Sequence, residues 1–198
     1  MYKKYLKRIF DFIFSLFMIV ILCPVFLIVS ILIKIMDKSN IIYKQVRTGK
    51  NGKEFIIYKF KTIKDKKISK FGRFLRKYGI DELPQLFNIL KGDMSLIGPR
   101  PWIIDYYKYF DERQKKRTSV RPGLIGLAQI KGNDIDLFEK IDLDLKYVDN
   151  ISFILDLKIV VKTFFVVVLK KHNEITISEI EDELEILSKH YNLKSNRI

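Results

Sequence analysis

Residues 12–33 read FIFSLFMIVILCPVFLIVSILI, and this stretch decides how the chain is organised. It contains no charged side chain, and its length suffices for the apolar core of a bilayer, which takes about 20 helical residues. Pro24 follows Cys23 near its centre, and a proline inside a helix removes a hydrogen bond and kinks the axis. Two short arms joined by a bend predict a re-entrant hairpin that enters one leaflet and returns, although a kinked spanning helix has the same composition.

Basic residues flank this stretch on both sides. Lys3, Lys4, Lys7 and Arg8 precede it, and Lys34, Lys38, Lys44 and Arg47 follow it. Because positively charged residues stay on the cytoplasmic side of a membrane, both ends are expected there, which favours the hairpin.

The net charge of +14 is concentrated beside the apolar stretch. Through Gly79 the chain has 19 Lys and Arg against 4 Asp and Glu, and after it 18 against 19. Anionic head groups attract basic residues next to a membrane segment by about 1 kcal/mol each. A nucleic-acid-binding protein would also be basic, but its charge need not adjoin an apolar run. We therefore predict inner-membrane anionic lipids as partners and no nucleic acid.

Cysteine and histidine are too few for a disulfide or a zinc site. Cys23 is the single cysteine and lies in the apolar stretch, while His172 and His190 are isolated near the end. These counts fit a reducing cytoplasmic compartment and exclude a zinc site or a Cys-His nucleophile pair.

The patterning predicts an α+β protein in three parts. They are an anchor over residues 1–36, a cytosolic-face domain over 37–170 and an amphipathic tail over 171–198. Within the domain, residues 41–63 alternate as two strands around the turn TGKNGK. Residues 151–169 are apolar but carry Asp156, Lys158 and Lys162, so we expect an interfacial helix rather than a span.

The segment RKYGIDELP (76–84) holds the strongest candidate site. Asp81 and Glu82 stand where a helix is expected to begin, and the free N–H groups there favour the ionised carboxylate. An ionised Asp can attack phosphorus or hold Mg²⁺. The alternative is ordinary helix capping, with Asp81 as the N-cap and Glu82 in the first turn.

Two further segments carry candidate phosphate ligands. In GDMSLIGPRP (92–101), Pro99 and Pro101 stiffen the loop that presents Arg100, whose guanidinium suits bidentate phosphate contact. In YKFKT (58–62), Lys59 and Lys61 share one strand face, either as a phosphate-binding pair or as the solvent side of a hairpin. With an anchor beside them, these groups suit a lipid phosphate and a sugar nucleotide as substrates.

The chain resembles the bacterial monotopic phosphoglycosyl transferases, the polyprenyl-phosphate sugar-1-phosphate transferases that begin glycan assembly. The segments that carry the resemblance are KRIFD (7–11), YKQVRTGKNGKEFIIYKFKT (43–62), GRFLRKYGIDELPQLFNILKGDMSLIGPRP (72–101), VRPGLIGLAQIKGN (120–133) and YVDNISFILDLKIVVKT (147–163). DELPQLFNILKGDMSLIGPRP alone is very specific.

The resemblance implies a re-entrant helix kinked at Pro24 and a Mg²⁺-dependent reaction in two steps at the cytoplasmic face of the bacterial inner membrane. Asp81 would attack the β-phosphate of a UDP-sugar and release UMP, and undecaprenyl phosphate would then take the phosphosugar. Downstream glycosyltransferases would extend the product.

The resemblance also implies roles for individual residues in a catalytic domain over 37–170. Asp81 and Glu82 would be the catalytic pair and the metal ligands. Arg76, Arg100, Lys59 and Asp156 match phosphate- or substrate-binding positions.

Some residues depart from the family pattern. Cys23 replaces a common Ser before the kink, Lys61 an Arg, Ile63 a Met, Asn133 the Arg of a GRN motif, and Phe138 a Trp. These changes concern donor recognition rather than the chemistry. A non-catalytic membrane-surface adaptor of the same fold is the alternative function, and the intact Asp81–Glu82 pair argues against it.

Overall fold

The N-terminal region is a helix broken once. A computed structural model describes residues 2–64, 67–131, 135–168 and 186. Helix α1 (Lys7–Ile21) and helix α2 (Cys23–Leu32) bracket the break, and the two arms are bent by 58°. Pro24 lies in the first turn of α2, where its missing N–H is tolerated. The predicted helix–break–helix at Cys23–Pro24 is therefore confirmed.

Neither arm alone, nor any other helix of the described ranges, is long and apolar enough to cross a membrane. The two arms meet that length and composition only as a bent pair.

Large apolar side chains project outward from the two arms and from helix α9 (Phe153–Val168). Phe17, Val20 and Leu27 are 61%, 66% and 63% exposed. Phe153, at the start of α9, lies 6.0 Å between ring centroids from Phe10 of α1. Exposed apolar surface on this scale is typical of a membrane or partner contact rather than of a free soluble surface.

The inner faces of both arms pack against the domain. Val29 and Ile33 share a buried cluster with Phe60 and Leu75. Met18 of α1 packs against a second cluster built around Ile89. The arms are thus part of the same hydrophobic packing as the rest of the chain.

The predicted hairpin over 41–63 is confirmed. Strand β1 (Ile42–Thr48) pairs antiparallel with β2 (Glu54–Phe60), and Tyr43 lies opposite Lys59. Asn51 and Gly52 have positive φ, as the turn requires. Beyond β2, Ile63–Lys64 (β3) and Lys67–Ile68 (β4) form a short antiparallel ribbon.

The candidate helix begins later than the sequence predicted. Helix α3 (Lys70–Lys77) ends before Gly79, and Ile80–Glu82 forms a separate 3₁₀ turn. Helix α4 (Gln85–Lys91) follows Pro84 and has no side-chain N-cap. The prediction that Asp81 caps this helix was wrong, because the chain makes an extra tight turn first. Gly92 ends α4 as expected, at a φ of 95°.

The second half of the described chain is mostly helical. Strands β5 (Ser95–Ile97) and β6 (Gly123–Ile125) form a parallel pair. Two short helices follow β5, and Asp111 caps the second with a capping box. The remaining helices are α5 (Ile104–Tyr109), α6 (Glu112–Lys115), α7 (Leu127–Lys131), α8 (Leu137–Asp149) and α9.

The mixed helix and strand content confirms the α+β class. The three-part division of the chain stays a prediction. Apart from Ile186, the tail over 171–198 lies outside the described residues.

Candidate active site

Asp81 and Glu82 lie in the 3₁₀ turn between α3 and α4. Asp81 is buried, with 8% of its surface exposed. Burial, and next the charge of Glu82, raise the pKa of Asp81 to about 6. This reverses the sequence expectation that a helix N-terminus holds the carboxylate strongly ionised, because Asp81 does not sit at one.

Three cations surround the carboxylate pair. The Lys59 Nζ lies 2.5 Å from the Glu82 Oε1, and the Arg100 Nη2 lies 3.6 Å from the same oxygen. The charges of Lys59, Arg76 and Arg100 all oppose the rise in the pKa of Asp81. The structure therefore brings together five of the predicted site residues from four separate elements.

Each cation is held by a different part of the fold. Lys59 stands near the end of β2. Arg76 is in the last turn of α3 and donates from Nε to the Thr62 Oγ1 at 2.8 Å. Arg100 lies in the loop after β5. Lys61, by contrast, lines a separate cavity of about 390 Å³ with Lys34 and Asp37, so it does not pair with Lys59.

A buried ion pair supports the loop that presents Arg100, and nothing in the sequence indicates it. Arg117 donates from Nη2 to the Arg100 carbonyl oxygen at 2.7 Å and forms a salt bridge with Asp144. Its guanidinium stacks over the Trp102 ring at 4.5 Å. The sequence does not reveal this pair, because 27 residues separate Arg117 from Asp144 and no spacing rule joins residues so far apart.

Arg47, which the sequence indicated only as a basic residue after the apolar stretch, also lies near the site. Its Nη1 donates to the Pro101 carbonyl oxygen at 3.4 Å. Burial and the charge of Arg100 lower the pKa of Arg47 to about 10. The charges of Arg47 and Arg100 therefore act on each other near Glu82, an arrangement that suits a bound anion.

Asp156 lies in a different cluster. Its Oδ2 accepts hydrogen bonds from the Tyr2 hydroxyl and the Lys7 Nζ, both at 2.6 Å, and its Oδ1 accepts one from the Tyr147 hydroxyl at 2.8 Å. Burial and Asp156 raise the pKa of both tyrosines well above the usual range. The structure does not bring Asp156 to the Asp81–Glu82 pair. Its contacts instead join the N-terminal region and α8 to α9.

A magnesium ion fits the site only with help from a substrate. The described ranges hold no group of three or more His, Cys, Asp or Glu side chains that could bind a metal. Asp81 and Glu82 supply two carboxylates, and Mg²⁺ is commonly held by one or two carboxylates plus substrate phosphates. Burial, and next the charge of Glu82, raise the pKa of Asp81, and a cation beside the two carboxylates would offset the second of these causes.

A carboxylate pair surrounded by three cations suits an anionic, phosphate-bearing ligand. The model of the bacterial sugar transferase family matches residues 2–170. The chain therefore belongs to the bacterial sugar transferase family and is an enzyme of that family.

Curated relatives agree with this assignment. The chain is 43% identical over 171 residues to the uncharacterized sugar transferase EpsL of Bacillus subtilis, covering 80% of this chain and 85% of EpsL. It is 36% identical over 182 residues to the UDP-glucose:undecaprenyl-phosphate glucose-1-phosphate transferase of Klebsiella pneumoniae, covering 80% of this chain but 39% of that protein. It is also 33% identical over 195 residues to the exopolysaccharide production protein ExoY of Rhizobium meliloti, covering 83% and 86%.

Proposed function

We propose that this enzyme transfers a sugar-1-phosphate from a UDP-sugar to undecaprenyl phosphate and releases UMP. The observation that carries the proposal is the buried Asp81 beside Glu82, surrounded by Lys59, Arg76 and Arg100. The named activity of the Klebsiella relative supports it. The product would serve exopolysaccharide or related glycan assembly, where downstream glycosyltransferases extend it.

The reaction has two displacements at one phosphorus atom. In the first, a carboxylate oxygen of Asp81 attacks the β-phosphorus, and the bond to the oxygen bridging the two phosphates breaks. UMP leaves with that oxygen, and the sugar phosphate stays on Asp81 as an acyl phosphate. In the second, an oxygen of undecaprenyl phosphate attacks the same phosphorus and the Asp81 carboxylate is restored.

The residues around Asp81 bind the substrate and position the carboxylates. Arg100 and Arg76 bind and orient the diphosphate, and Lys59 holds Glu82 in place through its 2.5 Å ion pair. Asp81 and Glu82 would hold Mg²⁺ together with substrate phosphate oxygens. The ion supplies positive charge that offsets the charge on the phosphates when bound.

The reaction takes place at the cytoplasmic face of the bacterial inner membrane. The uncovered apolar side chains of α1, α2 and α9 would enter one leaflet, and the 58° bend returns the chain to the side from which it came. Exposed basic residues at both ends, among them Lys3, Lys34 and Lys38, would lie against anionic head groups. This placement brings the site to the level of a lipid-borne phosphate.

The proposal is tested by UMP release across a panel of UDP-sugars, using purified full-length enzyme, undecaprenyl phosphate and Mg²⁺. We expect turnover with one or a few sugars, loss of turnover with a chelator, and recovery when Mg²⁺ is restored. The absence of UMP release with every sugar, from protein that binds membranes and is folded, would favour the adaptor function instead.

A further inference from the structure

A second cationic cavity lies beside the N-terminal end of α1. None of its lining residues belongs to the Asp81–Glu82 cluster. Its volume is about 310 Å³. Five basic side chains line it, and Asp11 is the carboxylate in its wall. The five are Lys3, Lys7, Arg8, Lys50 and Arg121. Because they come from the N-terminus, the hairpin turn and the loop before β6, the fold itself gathers this charge.

Little of that charge is neutralised. Lys7 is paired with Asp156 at 2.6 Å. For Arg8, Lys50 and Arg121, the described part of the chain provides no ion pair within 4.0 Å. Arg8 instead donates to two neutral carbonyl oxygens at the end of α4, at 2.6 and 2.8 Å.

Arg8 and Arg121 line the same cavity, and their like charges repel each other. Burial and the charge of Arg121 lower the pKa of Arg8, while Asp11 and Asp93 act in the opposite direction. Asp11 also accepts a hydrogen bond from the Leu96 N–H at 2.9 Å, which uses part of its capacity. An anion in the cavity would relieve this repulsion.

The cavity also has donors suited to a tetrahedral anion. Arg121 donates from Nε to the Gly92 carbonyl oxygen at 2.7 Å, and its terminal nitrogens donate to no other group of the described residues. A planar guanidinium edge suits two phosphate oxygens. Apolar walls from Ile97, Val120 and Ile151 strengthen the field inside.

We propose that this cavity is a second anion site, which binds a phosphate group carried by a lipid head group or present as free phosphate. A lipid source is favoured because Lys3, Lys7 and Arg8 directly precede the apolar stretch, which places them at head-group level; that step rests on the proposed membrane function. The volume is at the small end of ligand pockets, which begin at roughly 300 Å³, so it suits a head group better than a nucleotide sugar.

The test measures binding to purified full-length protein in a nonionic detergent by isothermal titration calorimetry. The probes are sodium phosphate, dihexanoyl phosphatidylglycerol and dihexanoyl phosphatidylcholine. Arg121→Gln and Lys50→Gln each remove one cavity charge, and Lys50 lies in an exposed turn where folding is not at risk. Arg113→Gln removes an exposed charge elsewhere and is the matched control.

We expect saturable binding of phosphate or phosphatidylglycerol that weakens about tenfold in both cavity variants and is unchanged in Arg113→Gln. Tighter binding of the lipid than of phosphate identifies the head group as the source, and equal or tighter binding of phosphate identifies the free anion. No saturable binding of either, or an equal loss in Arg113→Gln, overturns the site.

UMP release by the wild-type enzyme is measured in parallel. Turnover without cavity binding overturns the second site alone. Cavity binding without turnover contradicts the proposed transfer reaction alone.

Discussion

At the scale of single residues, Asp81 combines two properties that usually oppose each other. It must be anionic to attack phosphorus, yet the fold buries it next to Glu82. We expect Asp81→Asn to abolish UMP release, because the amide has nearly the same shape but cannot act as the nucleophile. Intact-protein mass spectrometry of the wild type given UDP-sugar without lipid should show an added phosphosugar that the variant lacks. Asp105→Asn, an exposed change of the same kind, is the control.

Asp81→Asn should also stabilise the fold, because it removes a buried carboxylate whose ionisation disfavours folding. The folded-state pKa of Asp81, about 6, lies above its usual value of 3.8. Ionisation therefore disfavours folding: the penalty is absent below about pH 4, grows as the pH rises to about 6, and is constant above it. Without metal, we expect Asp81→Asn to gain up to about 3 kcal/mol at pH 7.5 and to approach the wild type near pH 4. Thermal unfolding at the two pH values measures this, and a variant no more stable than the wild type at pH 7.5 would contradict a raised pKa of Asp81 in the folded state.

Arg100 differs from its neighbours in offering a planar fork to the substrate. Arg100→Lys keeps the charge but loses the bidentate geometry, so we expect kcat/KM for the UDP-sugar to fall by at least tenfold. Arg113→Lys, on an exposed surface, controls for general effects of the exchange. Near-normal turnover in Arg100→Lys would mean that Arg100 does not bind phosphate through two nitrogens.

At the scale of elements, the broken helix sets the topology of the whole enzyme. Because both flanks of residues 12–33 are basic and Cys23–Pro24 bends the helix by 58°, we expect both ends to face the cytoplasm. Single cysteines at Lys3 and Lys38, in a Cys23→Ser background, should resist a membrane-impermeant maleimide in intact spheroplasts and react after lysis. Labelling of the Lys3→Cys protein alone in intact spheroplasts would establish a spanning helix.

Elements governed by local chemistry were predictable, and those governed by packing were not. The hairpin and the helix break follow from turn residues and from Pro24, which act on their immediate neighbours. The parallel pair of β5 and β6 could not be foreseen, because it joins two three-residue segments far apart in the chain. The start of α4 was placed wrongly for a related reason: the tight turn at Ile80–Glu82 takes the place of a capped helix end.

The same division holds for the site. The sequence motif identified Asp81, Glu82, Lys59, Arg76 and Arg100, and the fold gathers them. The motif could not show that the pKa of Asp81 is raised, because the burial of Asp81 depends on elements that meet only in the folded structure. Arg47 and Arg117 carry no spacing signal that links them to the site.

At the scale of the whole molecule, Asp156 joins the two ends of the described fold. Through Tyr2 and Lys7 it holds the start of the anchor, and through Tyr147 it holds α8 against α9. The membrane arm is thereby fixed to the domain that carries Asp81. A residue in this position is expected to act on stability and not on substrate affinity.

We therefore predict that Asp156→Asn lowers stability by a few kcal/mol, because it removes a buried charge and leaves Lys7 without its partner. The thermal unfolding midpoint of the full chain in detergent should fall clearly, while the KM for the UDP-sugar of the protein that remains folded stays within about twofold of the wild type. Asp149→Asn, which removes an exposed ion pair with Lys116, should change neither quantity. A raised KM with an unchanged unfolding midpoint would instead place Asp156 among the phosphate-binding residues, as the family resemblance implied. The two outcomes differ because a residue with a structural role changes the folded fraction of the protein, whereas a residue that binds substrate changes the affinity for the UDP-sugar.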